Sequence, residues 1–155
     1  MTYLLLKVLH VVSVVLFLGN IITGVFWKMH GDAQGDLRAK EQALAGIIAS
    51  DRLFTLPGVV LIIVTGTWMA LSAHIPLLST VWTAVGIWLF LASGLMFSLR
   101  VQPLQKQMLA NVRAGLAGNW DEAKYREMSG GWTIWGGVAT LLPLVVIFFM
   151  VFKPG

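Results

Sequence analysis

Cysteine is absent from this chain, and charged side chains make up only 12% of its 155 residues. The first absence excludes disulfides, thiolate metal sites, iron–sulfur clusters and cysteine nucleophiles together. The second leaves about half the roughly 25% charge of a soluble domain, too little to cover a surface in water. A water-soluble globular enzyme is thereby excluded. What the chain has instead is apolar: 57% hydrophobic residues, with seven Trp and eight Phe, and a mean hydropathy of +0.81. The net charge of +4 and the pI near 9.8 belong, in such a chain, to lysines and arginines that set membrane topology. The expected partner is a lipid bilayer and not nucleic acid.

A hydrocarbon core of about 30 Å needs roughly 20 apolar residues in a helix. Four stretches meet this: Tyr3 to Trp27, Leu53 to Ala73, Thr80 to Leu99 and Trp132 to Phe152. The first is too long for a signal-peptide core and lacks a small-residue cleavage site, so it reads as a permanent span. Lys28, Arg38, Lys40 and Arg52 fall between spans one and two, and Arg100, Lys106, Arg113, Lys124 and Arg126 between spans three and four. Those nine of the eleven basic residues put both loops in the cytoplasm. Both termini and the short loop at His74 then face outward.

The basic loops are expected to contain short helices. Leu37 to Ala49 has helix-forming composition and runs on towards span two. Pro103 starts a second segment, in which Leu104, Met108, Val112 and Leu116 recur on one face. Asn119 is expected to cap a turn through Asp121 and Glu122, and Glu122 with Arg126 forms an i,i+4 pair. These segments either line the headgroup zone and the bundle base or dock a partner. The predicted fold is all-α: one four-span antiparallel membrane bundle over residues 1–155.

Ionisable groups inside a span are expensive and mark a functional hypothesis. On span one, Tyr3, Lys7, His10, Ser13, Phe17, Asn20 and Gly24 share one side. Leu4, Val8, Val11, Val15, Ile22 and Phe26 share the other, which is the lipid-facing side. Lys7 is placed to snorkel to the outer headgroups. His10, about 10 Å deep, has two readings: a histidine hydrogen-bonded to a neighbouring helix, or an axial haem ligand. Met69 and Met150, each within about one turn of an outer end, are the thioether candidates for the second axial position, against a plain packing role. His74 reads as solvated, and His30 lies too far from His10 to share its metal. Zinc needs three or four ligands together, and the spans offer one histidine and no carboxylate; a transporter built on intramembrane acids is rejected on the same ground. A channel lacks rings of polar residues.

Small residues organise the remaining spans. Asp51, Gly58, Thr65 and Ser72 recur every seven residues, and Asp51 reads as a helix-start carboxylate paired with a loop cation. Pro57 falls near the same helix start, where it is mild. Gly86, Phe90, Gly94 and Ser98 form a ridge on span three, expected to be a tight helix–helix seam. Gly130, Gly131, Gly136, Gly137 and Thr140 lie on span four, whose Pro143 is expected to kink it. Close approach through such seams also suits a homodimer.

The chain resembles a family of small bacterial integral membrane proteins described only as a domain of unknown function. The resemblance spans the whole chain and is carried by Tyr3-Leu4-Leu5-Leu6-Lys7-Val8-Leu9-His10-Val11, Leu18-Gly19-Asn20 with Trp27-Lys28, Asp51-Arg52-Leu53-Phe54-Thr55-Leu56-Pro57-Gly58, and Thr65-Gly66. It implies the bacterial cytoplasmic (inner) membrane and brings no activity. A looser resemblance is to the small membrane protoporphyrinogen oxidase that binds haem b, and to copper-resistance membrane proteins. It rests on Lys7-Val8-Leu9-His10, the Pro-Gly start of span two, and Val151-Phe152-Lys153-Pro154. It implies haem b held through His10. The oxidase family's span three carries a lysine after Trp-Leu-His, whereas this chain reads Val81-Trp82-Thr83-Ala84-Val85, so porphyrinogen oxidation does not carry over. The leading expectation is a redox-active or haem-handling membrane protein with an unidentified redox partner. The competing one is a non-catalytic bundle that assembles with itself or with another membrane protein.

Overall fold

The computed structural model describes residues 2–154 and consists of helices joined by short turns; the chain-end residues Met1 and Gly155 lie outside the described residues. Four long rods dominate. They are α1 (Thr2–Ala33), α2 (Leu37–Ser72), α3 (Val81–Leu116) and α4 (Glu122–Phe152). Each is long and apolar enough to cross a membrane. At 1.5 Å per residue they measure roughly 46–54 Å, well beyond a hydrocarbon core of about 30 Å. The expected short helices of the basic loops are therefore continuations of the spans. The residual connections at this basic end are tight turns through Gly35 (φ 70°) and Gly118 (φ 97°), where only glycine adopts the required backbone freely. Asn119 does not cap the last rod as expected. Its cap is Asp121, whose carboxylate accepts from the Lys124 N–H at 2.9 Å, because Asp121 is the last non-helical residue and Asn119 belongs to the preceding turn.

Two rods contain a π-turn, Asp51–Thr55 in α2 and Phe97–Val101 in α3. Each lies just before a proline, Pro57 and Pro103. Proline lacks an N–H and its ring crowds the carbonyl four residues back. In the wider turn the N–H groups of Leu56 and Gln102 reach back to Asp51 and Phe97, and the rod continues instead of ending. Pro143 likewise stays inside one unbroken helix.

The rods associate as two antiparallel pairs, α1 with α2 and α3 with α4, and all four meet at the basic end. There Met108 and Val112 are completely buried against Leu44, Tyr125, Met128 and Trp132. The segment after Pro103 thus packs against the bundle base. Further along, the pairs touch through side chains. Phe17 of α1 meets Phe90 of α3 with ring centroids 5.7 Å apart, beside Leu18, Ile62 and Ile147. Leu4, Val8, Val15, Ile22 and Phe26 are more than half exposed, as the lipid-facing stripe of α1 requires.

Lys28, read from sequence as a loop cation, sits inside α1 and is only 3% exposed. Its Nζ lies 2.5 Å from Asp32 Oδ2 and donates to Ser129 Oγ of α4 at 2.6 Å. The Tyr125 and Trp132 rings stand 5.4 and 5.5 Å away. Helical spacing of four brings Asp32 onto Lys28, and the aromatic faces share in its charge.

Candidate functional site

The polar stripe of α1 and the heptad seam of α2 face each other. Gly24 packs on Ile47 and Phe17 on Gly58, Asn20 bonds to Asp51, and His10 bonds to Thr65. Antiparallel packing turns two separate sequence periodicities into one ladder of contacts. Its two polar rungs, at Thr65 and at Asp51, are the chemically distinctive places in the bundle.

At the upper rung, towards the chain termini, His10 Nδ1 lies 2.9 Å from Thr65 Oγ1. Thr65 is 2% exposed, and its hydroxyl donates to the Leu61 carbonyl at 2.5 Å. With its hydrogen so committed, that oxygen acts as an acceptor towards His10. A neutral imidazole that donates its Nδ1 proton to this oxygen carries its lone pair on Nε2. Gly66 makes the contact possible, since a Cβ there would stand 3.1 Å from His10 Cε1. Of the two candidate thioethers, Met69 follows Thr65 by one turn on the same helix, so it belongs to the pair that holds His10. Met150 packs on Gly86 of α3, where an added Cβ would overlap its methyl group. His30 lies at the other end of α1 in contact with Gln34, and His74 is exposed in the turn between α2 and α3. No group of three or more His, Asp or Glu that could hold a metal ion exists among the described residues.

The lower rung departs from the sequence reading. Asp51 is not at a helix start and, among the described residues, has no cation in salt-bridge reach; it lies within α2, 7% exposed. Its Oδ1 accepts from Asn20 Nδ2 at 3.0 Å and Thr55 Oγ1 at 2.9 Å, and its Oδ2 from Gln105 Nε2 of α3 at 3.1 Å. Asn20 also donates to Thr55 Oγ1 at 2.9 Å. The cluster borders a cavity of about 350 Å³ between the two helix pairs. Both π-turns contribute to its wall through Asp51, Thr55, Phe97 and Val101, and such turns recur at functional sites. Ser93 fixes the far side by donating to the Ala139 carbonyl at 2.6 Å. Gly94, expected in a tight seam, lines the cavity with no neighbour within 4 Å of a built Cβ. The seam of α3 therefore closes at Gly86 and opens at Gly94. Sequence reasoning missed this site because Asp51 falls two residues before the apolar run begins. The heptad that includes Asp51 was the available signal.

A family model described as predicted integral membrane protein (DUF2269) matches residues 4–154. No curated protein and no solved structure matches the chain. The match covers nearly the whole sequence, and the chain belongs to that family.

Proposed function

We propose, taking membership of this integral membrane family as the premise, that the protein handles haem b, with His10 as its axial ligand. The observation that supports this reading is the contact of His10 Nδ1 with Thr65 Oγ1 at 2.9 Å: an imidazole that donates there has the lone pair of Nε2 for a metal. Histidines that ligate metals characteristically donate their other N–H to a fixed acceptor, and a neutral imidazole is the form that binds iron. Met69 is the thioether on the same helix pair, and a His/Met pair is a known haem donor set. The chemistry of the donors fits the group. In this reading haem supplies one-electron chemistry when bound. Thr65 orients the ring, Gly66 leaves room for it, and exposed Lys7 offers a cation one turn from His10 for a propionate.

The test is an ultraviolet–visible spectrum of protein purified from cells with ample haem supply. A Soret band that is lost in His10→Ala while the protein still inserts supports the proposal. Colourless wild-type protein, or a band that survives in His10→Ala, overturns it.

A second reading, a bundle that assembles with another copy, is favoured by α4. Gly130 and Gly137 stand two turns apart and exposed, with open space where a Cβ would be. Small residues on a lipid-facing ridge allow close helix approach. Cross-linking in native membranes that fails to trap a dimer counts against this reading.

A further inference from the structure

The Asp51 cluster lies apart from His10, which does not line its cavity, and its chemistry asks for a different partner. Every hydrogen bond that reaches the carboxylate is donated to it, from an amide on α1, a hydroxyl on α2 and an amide on α3. All three bonds use the carboxyl oxygens as acceptors, the role that the ionised form fills best. Its hydrogen bonding is satisfied but its charge is not: among the described residues, no Lys, Arg or His nitrogen lies within 4.0 Å of it. The adjacent Arg52 is exposed, and Arg100 stacks on Trp135 at 5.4 Å. A buried charge without a counter-charge is costly in a low dielectric.

The space beside it is suited to supply one. The cavity, about 350 Å³, is at the small end of the roughly 300–1,000 Å³ of small-molecule sites. Its wall is mostly apolar, with the aromatic rings of Phe17, Phe90 and Trp132, whose faces attract cations. The Asn20 and Gln105 side-chain oxygens accept no hydrogen bond among the described residues, so both are open to a donor. Trp132, 6% exposed, also borders the cavity.

We infer that the cavity between the helix pairs is a binding site for a small amphiphilic cation, whose ammonium group pairs with Asp51 and whose apolar body lies against Phe17, Phe90 and Trp132. The Asn20 and Gln105 oxygens take the remaining N–H donors of the ammonium group. Entry is lateral, from the bilayer between the two pairs, since α2 and α3 touch at the basic end and separate above it.

The experiment compares two probes with the same apolar body, n-octylammonium and n-octanol. Each is titrated at matched membrane concentration into the full-length protein in phosphatidylcholine nanodiscs, and the rise in melting temperature is followed. Wild-type protein is expected to bind octylammonium at least about tenfold more tightly than octanol, because a charge-assisted pair outweighs a neutral hydrogen bond. Asp51→Asn keeps the shape and the neighbours and should bring the two probes level. Gly94→Leu keeps the carboxylate, fills the cavity, and should abolish the response to both. Equal binding of amine and alcohol by the wild type marks the space as an apolar groove for lipid, and the inference fails. It fails equally if neither probe stabilises the wild type, or if Asp51→Asn retains the discrimination. Should Asp51→Asn not fold, the wild-type comparison and Gly94→Leu decide the matter by themselves.

Discussion

The imidazole of His10 and the hydroxyl of Thr65, 55 residues apart in sequence, meet at 2.9 Å across the α1–α2 interface, and the contact orients the ring. Replacing Thr65 with valine keeps the shape and removes the acceptor. In haem-loaded protein, Thr65→Val should weaken iron binding roughly 10- to 100-fold, the usual effect of losing an orienting partner. Haem titration of the apoprotein measures this. Unchanged affinity would falsify the orienting role.

The two thioethers should separate by helix pair. Met69→Leu is expected to shift the reduced spectrum of a haem-loaded protein, since Met69 belongs to the pair that holds His10. Met150→Leu should leave the spectrum unchanged, because Met150 is occupied against Gly86. The reverse outcome would show that α4 approaches His10.

Gly86 and Gly94 lie on one ridge of α3 but meet different surroundings. Gly86→Leu should crowd α3 against α4, because its side chain must displace the Met150 methyl and press on Val146. The expected loss is about 1–3 kcal/mol, the usual cost of overpacking, read as a lower melting temperature in detergent. Gly94→Leu has open space around it and should keep or raise that temperature. Equal destabilisation by both would show that the cavity is closed in solution.

Lys28 ties α1 to α4 through Ser129 and to Asp32 on its own helix. Lys28→Met is expected to cost about 1–3 kcal/mol, because it removes a charged hydrogen-bond donor from the half-buried Asp32 carboxylate. Lys40, 3.6 Å from Asp32, tempers the loss. The double variant Lys28→Met, Asp32→Asn should recover part of the stability, since no carboxylate is then left behind and the amide oxygen still accepts from the Tyr125 hydroxyl. A double variant no better than the single assigns the loss to packing.

Topology rests on the distribution of basic residues. A reporter fused after Gly155 should read as periplasmic and one inserted at Gly118 as cytoplasmic. The opposite pattern would invert every assignment of inner and outer made from the sequence.

The sequence by itself determined the membrane class, the four crossings and which stripe of α1 meets protein and which meets lipid. These follow from local quantities: run length, charge content and the repeat of polar residues at helical spacing. Its heptad of Asp51, Gly58 and Thr65 even marked the face of α2 that meets α1. What only the tertiary structure decided is what each residue touches. Lys28 reads as a solvated cation until α4 closes over it, and Met69 and Met150 are equivalent until the helices pair. Asp51 reads as a cap until a π-turn, set just before Pro57, carries the helix through it. The cavity is likewise invisible in a one-dimensional pattern, because it lies between two helix pairs that meet at Phe17 and Phe90, and neither helix specifies that meeting alone.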